Sequence, residues 1–226
     1  MTLPTILSLF CSAGGDSVGY HRSGFDVIGV DILTQPNYPF EFVHANALEM
    51  LADLARWPKA HRLAAIHASP PCQRYSDLAH RNGNGDAWPD LIGPVREMLE
   101  ATGLPYVIEN VEGAPLRDPI TLCGTMFPGL RVIRHRLFET NWGAAAPTEH
   151  PSHPLVFTHD KRKAHYGRLD QDTSFVQVTG GGNCTVANKR AAMGVPWMTG
   201  AEANEAIPPA YSEFIGRQLI KRGGLT

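Results

Sequence analysis

The sequence predicts an α/β protein built on a doubly wound parallel sheet, because short β-rich runs alternate with helical stretches through its first half. Polar or glycine-rich groups follow most of these runs, as they do at the ligand-binding edge of such a sheet. The predicted strands are TILSLF (5–10), FDVIGVDI (25–32), a strand within EFVHANAL (41–48), LAAIHASPP (63–71) and LPYVIENV (104–111).

Helical stretches connect these predicted strands, and apolar residues recur in them at helical spacing. They are DSVGYHRSGF (16–25), LEMLADLARW (48–57) and PDLIGPVREMLEATG (89–103). Asp16 or Ser17 is the expected N-cap of the first helix. In the third, Gly93 and Pro94 must lie in the first turn or kink the helix.

The alternation of predicted strands and helices becomes less regular after residue 112. RVIRHRLFET (131–140) alternates as a strand does, which would place Arg134 and Arg136 on one face. Residues 143–173 are rich in Pro, His, Lys and Arg and predict an irregular insert. Two helical segments, near 198–206 and 208–222, follow it.

Composition excludes some classes of protein. The chain has 226 residues, 43% of them hydrophobic, and no window approaches the roughly 20 apolar residues of a membrane span, so we expect a cytoplasmic protein. Four scattered cysteines without a CxxC pair predict neither a zinc ribbon nor a disulfide framework. Residues 1–130 carry 8 Lys/Arg against 14 Asp/Glu, and residues 131–226 carry 12 against 8. A local basic face is therefore compatible with the net charge of −2.

The histidines of the third quarter of the chain are candidates for metal ligands. His150, His153, His159 and His165 fall close together, but their spacing matches no known ligand pattern. The stretch is typical of a polar surface loop, so we expect no metal site.

A cofactor site is predicted where the first two strands end. The turn Phe10 to Gly15 contains two glycines and leads into a helix, which presents backbone N–H groups to a nucleotide. Asp31 ends the second strand about 20 residues later, where an acidic residue binds ribose hydroxyls. Together they favour a ligand that contains adenosine.

Cys72 follows two prolines at the end of the fourth strand, in a rigid and extended loop. A free cysteine is most often a buried structural thiol, but this one lies in a polar loop beside the predicted cofactor site. Glu109 lies within an apolar strand, where a carboxylate is costly unless it is paired or functional. A thiol and a carboxyl group at one site suit covalent activation of a heterocycle.

These motifs occur in the order found in DNA cytosine 5-methyltransferases, and the chain resembles that family over residues 5–140. They are the turn Phe10 to Gly15, Pro71-Cys72-Gln73, Glu109-Asn110-Val111 and Arg134-x-Arg136. The segment AIPPAYSEFIG (206–216) also resembles the closing segment of small phage and bacterial members. The resemblance implies a Rossmann-like methyltransferase sheet in residues 1–140, a reduced target-recognition region in 141–192 and returning C-terminal helices in 193–226.

The resemblance also implies roles for individual residues. The Cys72 thiolate would add to carbon 6 of a flipped-out cytosine, Glu109 would act at ring nitrogen 3, and Arg134 and Arg136 would hold the carbonyl oxygen and orient Glu109. The carbonyl of Pro70 would accept from the exocyclic amine. Expected S-adenosylmethionine contacts are Phe10, Ser12, Ala13, Gly14, Gly15, Asp31, Ile32, Asn46, Ala47 and Pro70. Expected contacts to double-stranded DNA are Gln73, Ser76, Lys161, Arg162, Lys163, Arg168, Lys189 and Arg190.

The sequence departs from the family at several points. Ser12 replaces a glycine, Asn46 replaces an acidic residue that reads adenine, and Val132 replaces a glutamine. The insert is also short, which predicts a recognition sequence of about two to four base pairs or loose specificity. RNA as substrate, a modified sulfonium donor and a catalytically silent DNA-binding relic stay open as alternatives. A thiol redox enzyme is disfavoured because no second cysteine is placed to resolve a disulfide.

Overall fold

The computed structural model describes residues 3–76, 87–153, 156–157, 175–178 and 184–223. Its strands are β1 (Thr5–Leu9), β2 (Asp26–Asp31), β3 (Glu41–His44), β4 (Leu63–Ala68), β5 (Tyr106–Asn110), β6 (Ile120–Leu122), β7 (Val132–Ile133), β8 (Arg136–Thr140), β9 (Val156–Phe157) and β10 (Phe175–Gln177). Its helices are α1 (Gly15–Ser23), α2 (Ala47–Ala52), α3 (Ile92–Thr102), α4 (Val186–Met193), α5 (Gly200–Glu205) and α6 (Pro209–Gly223). No helix in this part of the chain is long and apolar enough to cross a membrane.

The main sheet has seven strands in the order β3-β2-β1-β4-β5-β8-β6. The first five strands are parallel, and β8 is antiparallel to both of its neighbours. Chain order reverses between β1 and β4, so their carboxyl ends diverge into a crevice. The predicted fold class, α/β with a mostly parallel sheet, is confirmed.

Both faces of the main sheet are covered, because side chains alternate along each strand. Leu7 and Leu9 of β1 pack with Leu51 of α2 and Leu99 of α3 on one face. Ile6 packs on the opposite face, in the cluster of apolar residues contributed by α1 and α6. This two-sided burial explains why the central strands are almost continuously apolar.

Helices α1 and α6 approach closely through glycines. A Cβ on Gly19 would lie 2.1 Å from the carbonyl oxygen of Pro209, and one on Gly216 would lie 2.2 Å from the hydroxyl of Ser23. A larger residue at either position would push the helices apart. The contact therefore depends on residues from both ends of the described chain.

Two local expectations were wrong, and one helix was not predicted. Helix α1 begins after Gly14, whose φ of 76° is left-handed, and neither Asp16 nor Ser17 is its N-cap. RVIRHRLFET is interrupted at Arg134 and His135, so that β7 belongs to the second sheet and β8 to the main sheet. Helix α4 was not foreseen, because its residues VANKRAAM show little helical amphipathicity.

A second, small sheet has the order β7-β10-β9. Val132 and Val176 of this sheet pack with Met193 of α4 and Ala203 of α5 in a separate apolar cluster. Ala13, from the turn after β1, joins the same cluster. The small sheet and its helices are thereby attached to the crevice of the main sheet.

Candidate active site

A cavity of about 440 Å³ lies at the carboxyl ends of β1, β2, β4 and β5. Each of these strands leads into a wall residue: Phe10, Asp31, Pro70 and Glu109, respectively. The segment from Met198 to Ile207, in and around α5, closes the opposite side. The predicted convergence of polar groups on one edge of the sheet is present in the structure.

The turn after β1 has an unusual backbone. Phe10 and Ser12 have φ values of 58° and 46°, in the left-handed region that glycine adopts most easily. The carboxylate of Asp31 accepts from the N–H of Ser12 at 3.0 Å and from the N–H of Leu33 at 2.9 Å. Asp31 thus holds the turn and the end of β2 together, and each of its oxygens keeps a lone pair for a ligand.

The two glycines of this turn have no room for a side chain. A Cβ on Gly14 would lie 2.9 Å from the ring of Tyr38, and one on Gly15 would lie 2.4 Å from the carbonyl oxygen of Ile207. Trp197 donates its indole N–H to the carbonyl of Ala13 at 2.9 Å. The turn is therefore enclosed by residues from distant parts of the chain.

The expected cofactor residues divide into two groups. Those on the cavity wall are Phe10, Ser12, Gly15, Asp31, Ile32 and Pro70, and those away from it are Ala13, Gly14, Asn46 and Ala47. Asn46 caps α2, with its side-chain oxygen accepting from the N–H of Leu48 at 2.9 Å. Ala47 is buried in the apolar core. The expected ligand contacts of the residues away from the wall stay predictions.

The cavity is acidic. Among the described residues, its wall carries five carboxylates, from Asp16, Asp31, Glu109, Glu202 and Glu205, and one guanidinium, from Arg136. The negative potential favours a cationic ligand. Ile32 and Leu33, 61% and 66% exposed, also lie on the wall, where their apolar side chains suit an aromatic ring. Sequence reasoning missed Glu202 and Glu205 because they lie far along the chain from the strand ends.

The loop that carries Cys72 is fixed by the end of β5. Asn110, 1% exposed, donates its side-chain amide to the carbonyl of Pro70 at 2.9 Å. Cys72 caps a 3-10 turn, Gln73–Tyr75, and its thiol is partly exposed to the cavity. Pro70 keeps a second lone pair on the same carbonyl. Asn110 thus positions the loop, a role that the sequence motif alone did not reveal.

Glu109 and Arg136 form a buried ion pair beside Cys72. The Nε of Arg136 lies 3.0 Å from Oε1 of Glu109, and Glu109 is 5% exposed. The N–H does not point along this line, and Oε1 accepts no hydrogen bond from the described residues. That oxygen is buried and has no hydrogen-bond donor among these residues.

The charges around Cys72 have opposing effects on its thiol. Burial raises the pKa of Cys72, Arg136 lowers it and Glu109 raises it further. The raised pKa means that the thiol is mostly protonated at neutral pH. Forming the nucleophilic thiolate thus depends on removing or compensating the charge of Glu109.

Arg134 does not line the cavity, contrary to its expected contact with the base. Its guanidinium donates to the carbonyls of Val178, after β10, and Asn204, in α5, at 2.8 and 2.7 Å. Burial and the nearby charge of Arg136 lower the pKa of Arg134 to about 9, so it stays charged at neutral pH. Because the chain turns between β7 and β8, Arg134 and Arg136 serve different parts of the structure.

The expected DNA contacts are only partly described. Gln73 lines the cavity, and its side-chain oxygen has no hydrogen-bond partner in the described part of the chain. The hydroxyl of Ser76 donates to the carbonyl of Gln73 at 3.3 Å. Lys189 is buried and donates to Asn204, which does not fit the expected phosphate contact, whereas Arg190 is half-buried. Lys161, Arg162, Lys163 and Arg168 lie outside the described residues.

Known structures share this fold at low sequence identity. A DNA modification methyltransferase encoded within an E. coli prophage is 14% identical, with a TM-score of 0.66 and coverage of 96% of this chain and 98% of that one. An Entamoeba histolytica methyltransferase and the S. pombe Dnmt2 methyltransferase are each 12% identical, with TM-scores of 0.59 and 0.58, and each comparison covers 98% of this chain and 99% of the other. No curated protein sequence matches the chain.

A family model identifies the first half of the chain. The model for C-5 cytosine-specific DNA methylases matches residues 4–118. These residues include the glycine turn, Cys72 and Glu109, whereas Arg136 lies beyond the match. The matched part is just over half of the chain and contains all four strand ends of the cavity, so the chain belongs to the family of C-5 cytosine-specific DNA methylases.

Proposed function

We propose that the protein methylates carbon 5 of cytosine in double-stranded DNA, with S-adenosylmethionine as methyl donor and Cys72 as covalent nucleophile. The observation that carries this proposal is that Cys72, Glu109 and Arg136 line the same cavity as Asp31 and the glycine turn. A catalytically silent relic has no need to keep a thiol, a carboxylate and a guanidinium together. The placement favours chemistry over binding alone.

The residues present fit the donor. S-adenosylmethionine supplies a methyl group on a positively charged sulfonium, which makes that methyl electrophilic. The acidic wall suits this charge, Asp31 offers carboxylate oxygens to ribose hydroxyls, and Ile32 and Leu33 offer apolar surface to adenine.

In this proposal Cys72 is the nucleophile and Glu109 is the proton donor. The Cys72 thiolate forms a bond to carbon 6 of cytosine, and Glu109, which has taken the proton of the Cys72 thiol, gives it to ring nitrogen 3, so that carbon 5 becomes nucleophilic enough to take the methyl group. The proton on carbon 5 then leaves to solvent water. The bond to Cys72 breaks, and the proton on nitrogen 3 returns to Glu109. The net change replaces one C–H bond by one C–CH₃ bond and releases one proton.

Arg136 and Pro70 orient the base in this proposal. The guanidinium of Arg136 holds Glu109 and offers a donor to the carbonyl oxygen of the ring. The carbonyl of Pro70, already bound to Asn110, accepts from the exocyclic amine with its free lone pair. Because these groups lie inside a cavity, the cytosine must leave the base stack to reach them.

We expect DNA to contact the face of the protein around this cavity. Gln73 is at its rim, and the basic residues Lys161, Arg162, Lys163, Arg168 and Arg190 would contact phosphates. Only residues 141–192 are available to read base edges. We therefore expect a short recognition sequence of about two to four base pairs, or loose specificity.

The test is a mechanism-based trap. The protein is mixed with S-adenosylmethionine and duplex DNA that carries 5-fluorocytosine, and denatured products are weighed by mass spectrometry. Fluorine cannot leave as a proton does, so the proposal predicts a protein–DNA adduct at Cys72, heavier by one methyl group. The Cys72→Ala variant must give no adduct.

Other outcomes point elsewhere. An adduct with fluorocytosine RNA and none with DNA would replace the substrate and keep the mechanism. Absence of an adduct with either polymer, in protein that still binds DNA, would contradict the catalytic proposal. DNA of scrambled sequence in the same assay measures how loose the specificity is.

A further inference from the structure

One Cys and three His side chains converge at a place distant in sequence from the motifs described above. They are Cys123, which follows β6, His135, which lies between β7 and β8, and His150 and His153 from the segment after β8. Their ligand atoms all lie within 4.8 Å of one another. No short sequence motif contains all four, which is why spacing alone predicted no metal site.

Two of the distances between these ligand atoms are close to those around a tetrahedral zinc ion. Bond lengths of about 2.0–2.1 Å to nitrogen and 2.3 Å to sulfur imply separations of about 3.3–3.6 Å between neighbouring ligand atoms. Nε2 of His135 and Nε2 of His150 are 3.0 Å apart, and Sγ of Cys123 is 3.7 Å from Nε2 of His153. The three imidazole rings contact one another with centroids 4.8–5.0 Å apart.

A carboxylate orients one of these histidines. Oε2 of Glu112 lies 3.3 Å from Nδ1 of His135. With a proton on Nδ1 facing Glu112, Nε2 of His135 keeps its lone pair, and this atom lies 3.0 Å from Nε2 of His150. This carboxylate–histidine arrangement commonly supports a zinc ligand.

We propose that Cys123, His135, His150 and His153 bind one zinc ion. A thiolate with three imidazoles is a ligand set that zinc favours, and four protein ligands leave no open position for substrate, so the site is structural. His135 stands directly between Arg134 and Arg136. The ion therefore ties the start of the insert, at His150 and His153, to the segment that positions both arginines.

The first measurement is metal content. The full-length chain is loaded with zinc chloride, dialysed against a weak chelator and analysed by native mass spectrometry, and we expect one zinc per chain. Loading with cobalt chloride instead should give the absorption of tetrahedral cobalt with a sulfur-to-cobalt charge-transfer band, which reports the Cys123 thiolate directly. Neither readout depends on methyl transfer, so failure of the catalytic proposal leaves this test intact.

Variants assign the ligands. Cys123 is fully buried, so Cys123→Ser carries a risk of misfolding, whereas His150 and His153 are exposed and their replacement disturbs no buried packing. His150→Gln and His153→Gln should each weaken zinc affinity more than about 100-fold, and Glu112→Gln about tenfold. The matched controls are His61→Gln, at an exposed histidine outside the cluster, and Cys184→Ser, at a buried cysteine outside it. Both should bind zinc as the parent chain does.

Two results would overturn the proposal. One is a folded parent chain that takes up no zinc and shows no cobalt–thiolate band, which would leave only hydrogen-bonded surface histidines. The other is zinc uptake that stays unchanged in both His150→Gln and His153→Gln, with circular dichroism spectra like that of the parent chain. That result would place the ion elsewhere.

Discussion

The two walls of the cavity are built in different ways. On one side, Phe10, Asp31, Cys72 and Glu109 each stand at or just beyond the end of a strand of the main sheet. On the other side, Met198, Ala203 and Ala206, from the segment that closes the cavity, belong to the apolar cluster of the small sheet. The first wall, here called the strand-end wall, follows from local chain order. The second wall depends on contacts between residues far apart in the sequence.

Arg134 shows what this difference means. It precedes the strand that carries Arg136, yet it donates to carbonyls at Val178 and Asn204. The groups proposed for chemistry lie on the strand-end wall, and a neighbouring arginine holds the second wall in place. Five substitutions separate these two roles, starting with the largest expected effect.

Cys72→Ala removes the proposed nucleophile from the strand-end wall. We expect turnover to fall by about 10⁴-fold or more, with folding and cofactor binding close to those of the parent chain. Methyl transfer to DNA and calorimetry of S-adenosylmethionine measure the two effects. Cys184→Ala is the matched control and should retain activity. A Cys72→Ala protein with normal turnover would rule out the covalent mechanism.

Arg134→Met tests the second wall. Two buried carbonyls lose their donor, which should destabilise this wall by about 2 kcal/mol, or roughly thirtyfold in its opening equilibrium. The native thiols report on the two regions: Cys184, in the small-sheet cluster, should react with a maleimide faster, while Cys11, beside the glycine turn, should keep its protection. Arg22→Met, at an exposed position of α1, is the control. Equal acceleration at both thiols would show that the regions open together.

Asp31→Ala removes a carboxylate that supports the glycine turn. Loss of its bonds to Ser12 and Leu33, and of the proposed ribose contact, should weaken S-adenosylmethionine binding about tenfold or more, with DNA affinity little changed. Calorimetry and a DNA mobility shift measure the two affinities. Asp31→Asn keeps one acceptor oxygen, so its affinity for S-adenosylmethionine should lie between those of the parent chain and of Asp31→Ala. A parallel loss of DNA affinity would contradict a role confined to the cofactor.

Glu109→Gln tests how the neighbouring charges change the pKa of Cys72. Because the Glu109 carboxylate raises the pKa of Cys72, its neutral isostere should lower that pKa and shift the alkylation profile to lower pH. Arg136→Gln should shift the profile in the opposite direction, since Arg136 lowers the same pKa. Iodoacetamide labelling, mapped to Cys72 by mass spectrometry, gives the profiles. Shifts of the same sign would mean that direct charge interaction is not the cause.

Ser12→Gly has the smallest expected effect. The φ of 46° costs a non-glycine residue about 1–2 kcal/mol, and glycine removes this strain. Because glycine also has more freedom in the unfolded chain, part of this benefit is lost, and we expect the free energy of unfolding to rise by about 0.5 kcal/mol. Urea unfolding measures it. Ser12→Ala keeps the strain and should show no gain. A destabilised Ser12→Gly protein would mean that the serine side chain contributes more than its backbone costs.

The strand-end wall could be predicted from the sequence because its residues come directly after apolar runs. Cys72, Glu109 and Asp31 line the cavity as their positions indicated. Asn46 also follows a strand, but its side chain caps the next helix, and sequence position does not distinguish a cap from a ligand contact. Arg134 was assigned to the wrong side because a two-residue turn separates β7 from β8.

The Cys–His cluster shows a further limit. Spacing within His150, His153, His159 and His165 gave no ligand pattern, and Cys123 and His135 join His150 and His153 only through the path of the folded chain. Three-dimensional proximity between distant segments leaves little trace in one sequence. The role of Glu202 and Glu205 on the cavity wall was missed for the same reason.

The close contact of α1 with α6 has a consequence for synthesis. Gly15 touches the carbonyl of Ile207, and Gly19 touches that of Pro209, so the glycine turn is completed by residues near the other end of the described chain. A ribosome delivers α1 first, and at typical rates its partner follows on the order of ten or more seconds later. During that interval the nascent chain has a sheet but no finished cavity. Completion of the cavity thus awaits the arrival of α6.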